Sequence, residues 1–265
     1  MIKLHHSPTS TCSQKVQFVL EEKSVPWESM VVNLKGGENF LPEFLKLNPK
    51  GVVPVLVDNG EMILESNNIC LYLDDKYPQV PLMPDTPKRR SDVRTLLQWI
   101  DEHIHHDISA CTYPIAFRPD VIRIYDTPEK LEVYISKVPD AGKRQLRREM
   151  MTKGIECAVF KTGVTRLASV LERLEALLQN SSYLVSNQLT VADIAYSPYI
   201  TRLDHLSMSF MWDDKPAVRD WYERLKSTAG YEKGMRTFFV PAVIEKMGAR
   251  GKSARPAIEA VMAAD

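Results

Sequence analysis

The sequence has no long apolar run and no excess of charge of either sign. Its 265 residues contain no apolar stretch of the roughly 18 residues that span a bilayer, and Met1 to His6 lack the apolar core of a signal peptide. Lys plus Arg and Asp plus Glu each number 34, so no net field would recruit nucleic acid or an anionic membrane. We therefore expect a cytoplasmic protein whose partner is a small molecule or another subunit.

Cysteine and metal-ligand patterns are also sparse. The four cysteines are widely spread, which fits neither a disulfide framework nor a zinc ligand set. Three histidines lie between Glu102 and Asp107, but they lack the His-Glu-x-x-His order and a third ligand in phase. We expect no metal site, although His106 is a candidate for the wall of a substrate cleft.

Short apolar runs alternate with helix-length segments in the first eighty residues. Strands are predicted at residues 2–4, 27–32, 55–57 and 62–64. Helices are predicted at residues 13–23, 40–47 and 66–77. Asn59-Gly60 suits a type I′ turn between the last two strands. The predicted order is βαβ-αββα, an α+β domain spanning residues 1–80.

A proline-rich segment separates this domain from a helical remainder. Four prolines fall between Pro78 and Pro87, so we assign residues 81–87 to a linker and 88–265 to an all-α helical bundle. The stretch 118–149 is either a surface helix pair with a loop or an insertion over the cleft. The polar, alanine-rich tail at 246–265 is expected to be mobile.

Two patterns indicate specific helices in the remainder. Thr190 and Asp193 form a capping box at the start of one helix. Another helix carries six apolar residues in one stripe, which are Phe160, Val164, Leu167, Leu171, Leu174 and Leu178. This stripe is typical of a buried core seam.

The turn Ser10-Thr11-Cys12-Ser13 precedes or opens the first helix, where hydroxyl and amide groups meet the positive end of the helix dipole. The pKa of a free thiol lies near 8.5 and must fall by about two units for the thiol to be mostly ionised at pH 7. This shift corresponds to roughly 2.7 kcal/mol. One hydrogen bond to a charged acceptor supplies about 1.5–3 kcal/mol. A single serine suffices for this task. The alternatives are that these residues only cap the helix, or that Cys12 acts as a lone nucleophile.

Two further clusters have the same ambiguity. Pro54 stands at the start of a strand, where the Val53 amide and carbonyl are left to pair with a peptide-like ligand. Glu65 and Ser66 stand at the start of a helix, where a carboxylate can bind. Taken singly, the proline also fits an ordinary edge strand and the serine a plain N-cap.

The coincidence of the three clusters in one βαβ-αββα domain resembles the glutathione transferase superfamily. The resemblance implies a thioredoxin-like N-terminal domain, an all-helical second domain, and glutathione as co-substrate. By this resemblance Val53, beside a cis Pro54, holds the glutathione cysteine, and Glu65 and Ser66 hold its γ-glutamyl end. Asn39 matches a glutathione-contacting glutamine of the zeta class, and Lys50 is a further candidate.

The motif in the first turn is similar to two groups of this superfamily. It resembles the motif of zeta-class isomerases and that of the related reductive dehalogenases. This resemblance implies that Ser10 activates the thiol and that Cys12 would form the mixed disulfide of a dehalogenase. The second domain is similar to a bacterial lignin β-etherase, which places Ser13 at that enzyme's serine. The resemblance implies cleavage of β-aryl ethers in lignin-derived aromatic compounds, with dehalogenation, zeta-like isomerisation and a non-catalytic adaptor as alternatives.

A small aromatic substrate requires an apolar wall, which we expect between the domains and facing the Ser10 turn. The candidates for this wall, besides His106, are Tyr113, Phe117, His205, Leu206, Met208 and Phe210. Each of these is also explained as ordinary core. The superfamily resemblance further implies a homodimer.

Overall fold

A computed structural model describes residues 1–264 and contains one mixed four-stranded sheet. The strands are β1 (Ile2–His6), β2 (Trp27–Val31), β3 (Val55–Asp58) and β4 (Glu61–Ile63). They lie in the order β2-β1-β3-β4, with β1 and β2 parallel and the other two pairs antiparallel. The predicted strand set and the thioredoxin-like fold are confirmed.

Helices α1 (Thr11–Glu22), α2 (Pro42–Leu47) and α3 (Ser66–Lys76) connect and follow these strands. Parallel pairing of β1 with β2 requires a crossover, which α1 provides. The β3–β4 hairpin turns at Asn59 and Gly60, whose φ angles of 50° and 90° both lie in the left-handed region. This geometry fits the predicted type I′ turn.

The rest of the chain is helical, as predicted. Its α-helices are α4 (Pro87–Trp99), α5 (His105–Thr112), α6 (Arg118–Ile124), α7 (Pro128–Ser136), α8 (Ala141–Lys153), α9 (Ala158–Leu178), α10 (Val191–His205), α11 (Pro216–Lys226) and α12 (Pro241–Ala263). Wider π-helical turns lie at Ile100–Ile104, Tyr113–Phe117 and Gly230–Met235. The charged stretch 118–149, which the sequence left undecided, lies in the three consecutive helices α6 to α8.

Both helix patterns read from the sequence are confirmed. All six residues of the predicted seam on α9 are at most 5% exposed. Asp193 accepts hydrogen bonds from the Thr190 amide at 2.9 Å and from the Thr190 hydroxyl at 2.6 Å, at the start of α10. The same carboxylate also accepts from the Leu184 amide and the Trp221 indole, so it joins three segments.

The tail differs from the expectation of a mobile segment. Residues 241–263 form α12, and Met247, Ala254 and Ile258 on it are buried. A Cβ on Gly251 would lie 1.6 Å from the Leu206 carbonyl oxygen, so the absence of a side chain lets the helix approach this backbone. Gly251 and Ala254 are therefore packing positions within this segment, while Asp265 lies outside the described residues.

The chain divides into two compact units by its contacts. The first comprises Met1–Gln98, Leu177–Pro198 and Arg219–Val240, and the second comprises Trp99–Ala176, Tyr199–Val218 and the chain from Pro241 onward. The sequence-based boundary at 81–87 stays a prediction. Within residues 1–264, no helix combines the length and apolar character needed to cross a membrane.

Candidate functional site

The first turn of α1 brings hydroxyl groups to a helix N-terminus. Ser10 is the N-cap, and its Oγ accepts a hydrogen bond from the Ser13 amide at 3.2 Å. This bond uses a lone pair of Ser10 and leaves its hydroxyl proton available for a further acceptor. Ser10 is partly exposed, so a ligand at the helix terminus can reach it.

The other two candidates in this turn have different surroundings. Ser13 is completely buried, and its Oγ accepts a hydrogen bond from the Ser7 amide at 3.3 Å. Cys12 is partly exposed and forms no disulfide bond. The accessible hydroxyl at the N-terminus of α1 is therefore that of Ser10, while the Ser13 hydroxyl holds the chain between β1 and α1.

The loop before β3 presents a backbone edge. The Val53–Pro54 peptide bond is cis, as the resemblance implied. Among residues 1–264, neither the amide nor the carbonyl of Val53 makes a backbone hydrogen bond. These two groups are free to pair with an extended peptide-like ligand in the manner of an added strand.

The Asn39 side chain is hydrogen-bonded to the loop that precedes β3. It is 6% exposed, and its Nδ2 donates to the Gly51 carbonyl at 2.7 Å. Its Oδ1 is buried without a hydrogen-bond partner in the described chain, which marks an acceptor that a ligand could satisfy. Gly51 has a φ of +60°, and a Cβ there would lie 3.0 Å from the Phe40 ring. Only glycine fits this approach without displacement.

Glu65 and Ser66 stand at the start of α3, and the backbone of Glu65 is strained. Glu65 has a φ of +67°, which is costly for a residue with a Cβ and is typical of functional sites. Its carboxylate pairs with the Lys50 ammonium at 2.6 Å, and both side chains are more than half exposed. Ser66 is 7% exposed and stands at the first position of the helix. Lys50 therefore lies beside Glu65, as their assignment to one site requires.

A buried lysine that the sequence analysis missed lies behind Ser66. The Lys15 side chain is completely buried, and its Nζ donates to the Ser66 Oγ at 3.4 Å and to the Asn67 Oδ1 at 3.0 Å. The available signal was its phase, since Lys15 precedes the core residues Phe18 and Val19 by three and four positions. A positive charge thus lies directly behind the hydroxyl assigned to carboxylate binding.

The candidate substrate residues all lie in the second unit. Tyr113 and Phe117 are partly exposed and meet edge to face, with ring centroids 5.3 Å apart on one π-helical turn. Such turns are frequent at functional sites. His205 is partly exposed, and burial together with the nearby Arg202 charge lowers its pKa to about 4. His106 is exposed, and burial of part of its ring lowers its pKa.

The remaining candidates have more structural surroundings. Leu206 and Met208 are both completely buried, and the Leu206 backbone contacts Gly251 of α12. Phe210 is partly exposed, with the Arg255 guanidinium 4.4 Å from its ring centroid. Leu206 and Met208 thus contribute core surface, while Phe210 retains an accessible face.

Two arginines near the candidate substrate residues were also missed. The Arg147 Nη2 donates to the Tyr113 hydroxyl at 2.7 Å, and the Arg202 guanidinium lies 6.0 Å from the Phe117 ring centroid. Arg202 is 5% exposed, and its phase with the buried Leu206 four residues later was the available signal. Arg147 is one of several charged residues on α8, and no apolar periodicity in that helix distinguishes it from the others.

The mixed four-stranded sheet followed by a helical remainder is the architecture of a thioredoxin-like transferase fold, and comparison with known families agrees. Residues 4–81 match the model of the glutathione S-transferase N-terminal domain, and residues 144–224 match that of the C-terminal domain. The chain belongs to the glutathione transferase superfamily, whose members use glutathione as co-substrate.

Individual relatives point in more than one direction. Protein LigF of Sphingobium sp. is 28% identical over 195 residues, covering 73% of this chain and 75% of LigF. The crystal structure of β-etherase LigF aligns with a TM-score of 0.81 at 23% identity, covering 89% of this chain and 99% of that structure.

Two other relatives cover different parts of the chain. FtsZ-localized protein A of Caulobacter vibrioides is 28% identical, covering 84% of this chain and 86% of its own. A zeta-class glutathione S-transferase of Euphorbia esula is 46% identical over 83 residues, which are 31% of this chain and 37% of that protein.

Proposed function

We propose that the chain ionises the thiol of glutathione with the Ser10 hydroxyl and uses the thiolate to cleave β-aryl ethers. The observation that carries the first step is the partly exposed Ser10 Oγ at the N-terminus of α1, which accepts the Ser13 amide. Its remaining proton can be donated to a thiolate, and the helix terminus adds a favourable field.

Residues of the first unit supply the binding site for glutathione. The Val53 backbone pairs with the cysteinyl part of the tripeptide, and the amide oxygen of Asn39 is an additional acceptor. Ser66 receives the γ-glutamyl carboxylate, with the Lys15 ammonium behind it. Lys50 and Glu65 form the exposed rim of this site.

In the proposed reaction, the glutathione thiol gives its proton to solvent water, and the thiolate sulfur attacks the aliphatic carbon that carries the aryloxy group. A carbon–sulfur bond forms as the carbon–oxygen bond breaks, and the leaving phenolate takes a proton from water. The etherase assignment is supported by the similarity to LigF across most of the chain. Tyr113, Phe117 and Phe210 provide accessible aromatic surface suited to such a substrate.

The test is incubation with glutathione and, separately, a β-aryl ether ketone, a chlorinated hydroquinone and maleylacetoacetate. We expect release of phenol from the ether in step with loss of glutathione. Preferential consumption of either other substrate would replace the etherase assignment with dehalogenation or isomerisation.

A second candidate is a non-catalytic adaptor, and its support is the similarity to FtsZ-localized protein A, which is named for its localisation and not for a transferase activity. The same incubation distinguishes it, because an adaptor would consume none of the three substrates. Glutathione that also fails to raise the melting temperature would rule against the glutathione site itself.

A further inference from the structure

Two arginines and three aromatic residues of the second unit form a cluster. Its members are Arg147, Arg202, Tyr113, Phe117 and Tyr134. The Arg147 Nη2 donates to the Tyr113 hydroxyl, and its Nη1 donates to the Tyr134 hydroxyl at 3.2 Å. The Arg147 guanidinium carbon also lies 4.0 Å from the centroid of the Tyr113 ring. Phe117 is the third ring, in edge-to-face contact with Tyr113.

Arg147 keeps unused capacity for hydrogen bonding. A guanidinium has five N–H donors, and the contacts to the two tyrosines use two of them. Within residues 1–264, no carboxylate lies at ion-pair distance from Arg147, whereas the adjacent Arg148 pairs with Glu132. In the described part of the chain, Arg147 therefore contacts neutral tyrosine hydroxyls and an aromatic face, and no carboxylate pairs with its charge.

Arg202 adds a second, buried charge to the same cluster. It approaches the Phe117 ring from α10, and burial lowers its pKa to about 10, with Tyr113 opposing the change. The neighbouring His205 is neutral at pH 7, since its pKa is lowered to about 4. A carboxylate brought beside this guanidinium gains a charge–charge attraction that the low local dielectric strengthens.

We propose that Tyr113, Phe117, Arg147 and Arg202 bind the carboxylate of an aromatic ligand. The planar guanidinium groups match a planar carboxylate, and the aromatic ring of the ligand packs on Phe117 and Tyr113. This carboxylate site concerns the substrate class, and it rests on the proposed function because Tyr113 and Phe117 are taken as substrate contacts. The proposed function is thereby extended, because the preferred aromatic substrates are expected to carry a carboxylate.

Titration calorimetry on the full chain without glutathione tests this proposal. The probes are benzoate, its neutral isostere benzamide, and inorganic phosphate. We expect benzoate to bind at least ~10-fold more tightly than benzamide, because charge-assisted hydrogen bonds are the stronger class. Equal affinities for benzoate and benzamide would overturn the proposal, and phosphate binding as tightly as benzoate would overturn its aromatic part.

Substitutions assign the preference to the two arginines. Arg147→Gln and Arg202→Lys should each reduce the preference for benzoate to less than ~3-fold, because the bidentate fork is lost. Arg148→Gln, one position along the same helix, is the matched control and should leave it unchanged. If Arg202→Lys fails to fold, Arg147→Gln decides, since Arg147 is partly exposed. An unchanged preference in Arg147→Gln contradicts the proposal.

Omitting glutathione keeps this result separate from the proposed function. Selective benzoate binding together with no glutathione-dependent turnover would remove the proposed reaction and leave the carboxylate site in place. Turnover of β-aryl ethers without any preference for benzoate would support the proposed reaction and remove the carboxylate site.

Discussion

At the scale of single residues, the candidate glutathione site depends on a few polar groups in fixed environments. Lys15 is the least expected of them, because a completely buried ammonium must be compensated by partners. Its contacts with Ser66 and Asn67 join α1 to α3. Asn67 in turn donates to the Leu97 carbonyl, which extends the connection to α4.

Lys15→Met is expected to weaken glutathione binding by roughly 10-fold, because Ser66 loses the donor that orients it and the γ-glutamyl carboxylate loses a nearby positive charge. The free energy of unfolding should also fall by about 1–3 kcal/mol, the cost of a buried acceptor left unsatisfied. Calorimetry and urea denaturation measure the two effects.

Lys3→Met is the control for this substitution. Lys3 forms an exposed pair with Glu28, and such pairs contribute at most about 1 kcal/mol. Unchanged glutathione affinity in Lys15→Met would mean that Lys15 is only structural.

His6 makes stability depend on pH. The ring is fully buried between Ser29 and Gln17, and burial lowers its pKa from 6.5 to about 4. Between these values the unfolded chain binds a proton that the native ring does not, so stability is full above pH 6.5 and falls as the pH drops toward 4. The loss is on the order of 3 kcal/mol, because the pKa falls from 6.5 to about 4 and each pKa unit corresponds to about 1.4 kcal/mol.

His6→Gln should be less stable at pH 7 but should lose less stability between pH 6.5 and 4 than the unmodified chain. Urea denaturation at several pH values in this interval measures the difference. His103→Gln, at an exposed position, should retain the steep dependence. A slope in His6→Gln equal to that of the unmodified chain would assign the pH dependence to other groups.

At the scale of secondary-structure elements, local periodicity was sufficient for much of the fold. The α9 seam could be predicted because six apolar residues in phase have no other stable placement than a core. The β3–β4 hairpin could be predicted because Asn-Gly tolerates the positive φ angles that its turn requires. Both signals lie within a few residues of the structure that they determine.

The predictions failed where tertiary contacts carry the information. The polar, alanine-rich composition of residues 246–265 suggested a mobile tail, whereas helix α12 spans Pro241–Ala263. Its packing depends on the close approach of Gly251 to the Leu206 backbone, a contact that sequence spacing does not reveal. For the same reason Arg147 could not be identified, because its partner Tyr113 lies 34 positions away.

The capping box of α10 should be sensitive to the loss of one charge. Asp193 accepts four hydrogen bonds, from Thr190 twice, from Leu184 and from Trp221. Asp193→Asn presents an amide nitrogen to donors and should lower the free energy of unfolding by about 2–4 kcal/mol. Urea denaturation measures this loss, and Asp204→Asn, at an exposed position near the end of α10, should change stability by less than about 0.5 kcal/mol. A similar small loss in both variants would contradict the role of Asp193.

The loop that carries Val53 should depend on Gly51. Gly51→Ala and Gly60→Ala both place a Cβ at a positive φ, but only the Cβ at Gly51 would meet other atoms, namely Phe40 and the Asn39 carbonyl. We expect Gly51→Ala to raise the KM for glutathione several-fold, while Gly60→Ala costs roughly 1 kcal/mol of stability and leaves the KM unchanged. Steady-state kinetics with varied glutathione measures both, and equal KM values would separate the loop from the binding site.

At the scale of the whole molecule, the family assignment rests on two separate segments of the chain, residues 4–81 and 144–224. The N-terminal and C-terminal domain models match separate segments, and the sheet order agrees with a thioredoxin-like domain. The reaction is proposed from the likeness to LigF, whereas the thiol chemistry is proposed from the first turn of α1. The homodimer stays a prediction, which the sedimentation of the purified chain would check.

The most direct test of the central claim is a pH titration of bound glutathione, followed by the ultraviolet absorbance of its thiolate. We expect the pKa of the bound thiol to lie about two units below its free value near 8.5. Ser10→Ala should return the pKa at least one unit toward the free value, and Ser13→Ala should leave it lowered. A lowered pKa that persists in Ser10→Ala would contradict the assignment of Ser10 as the group that ionises glutathione.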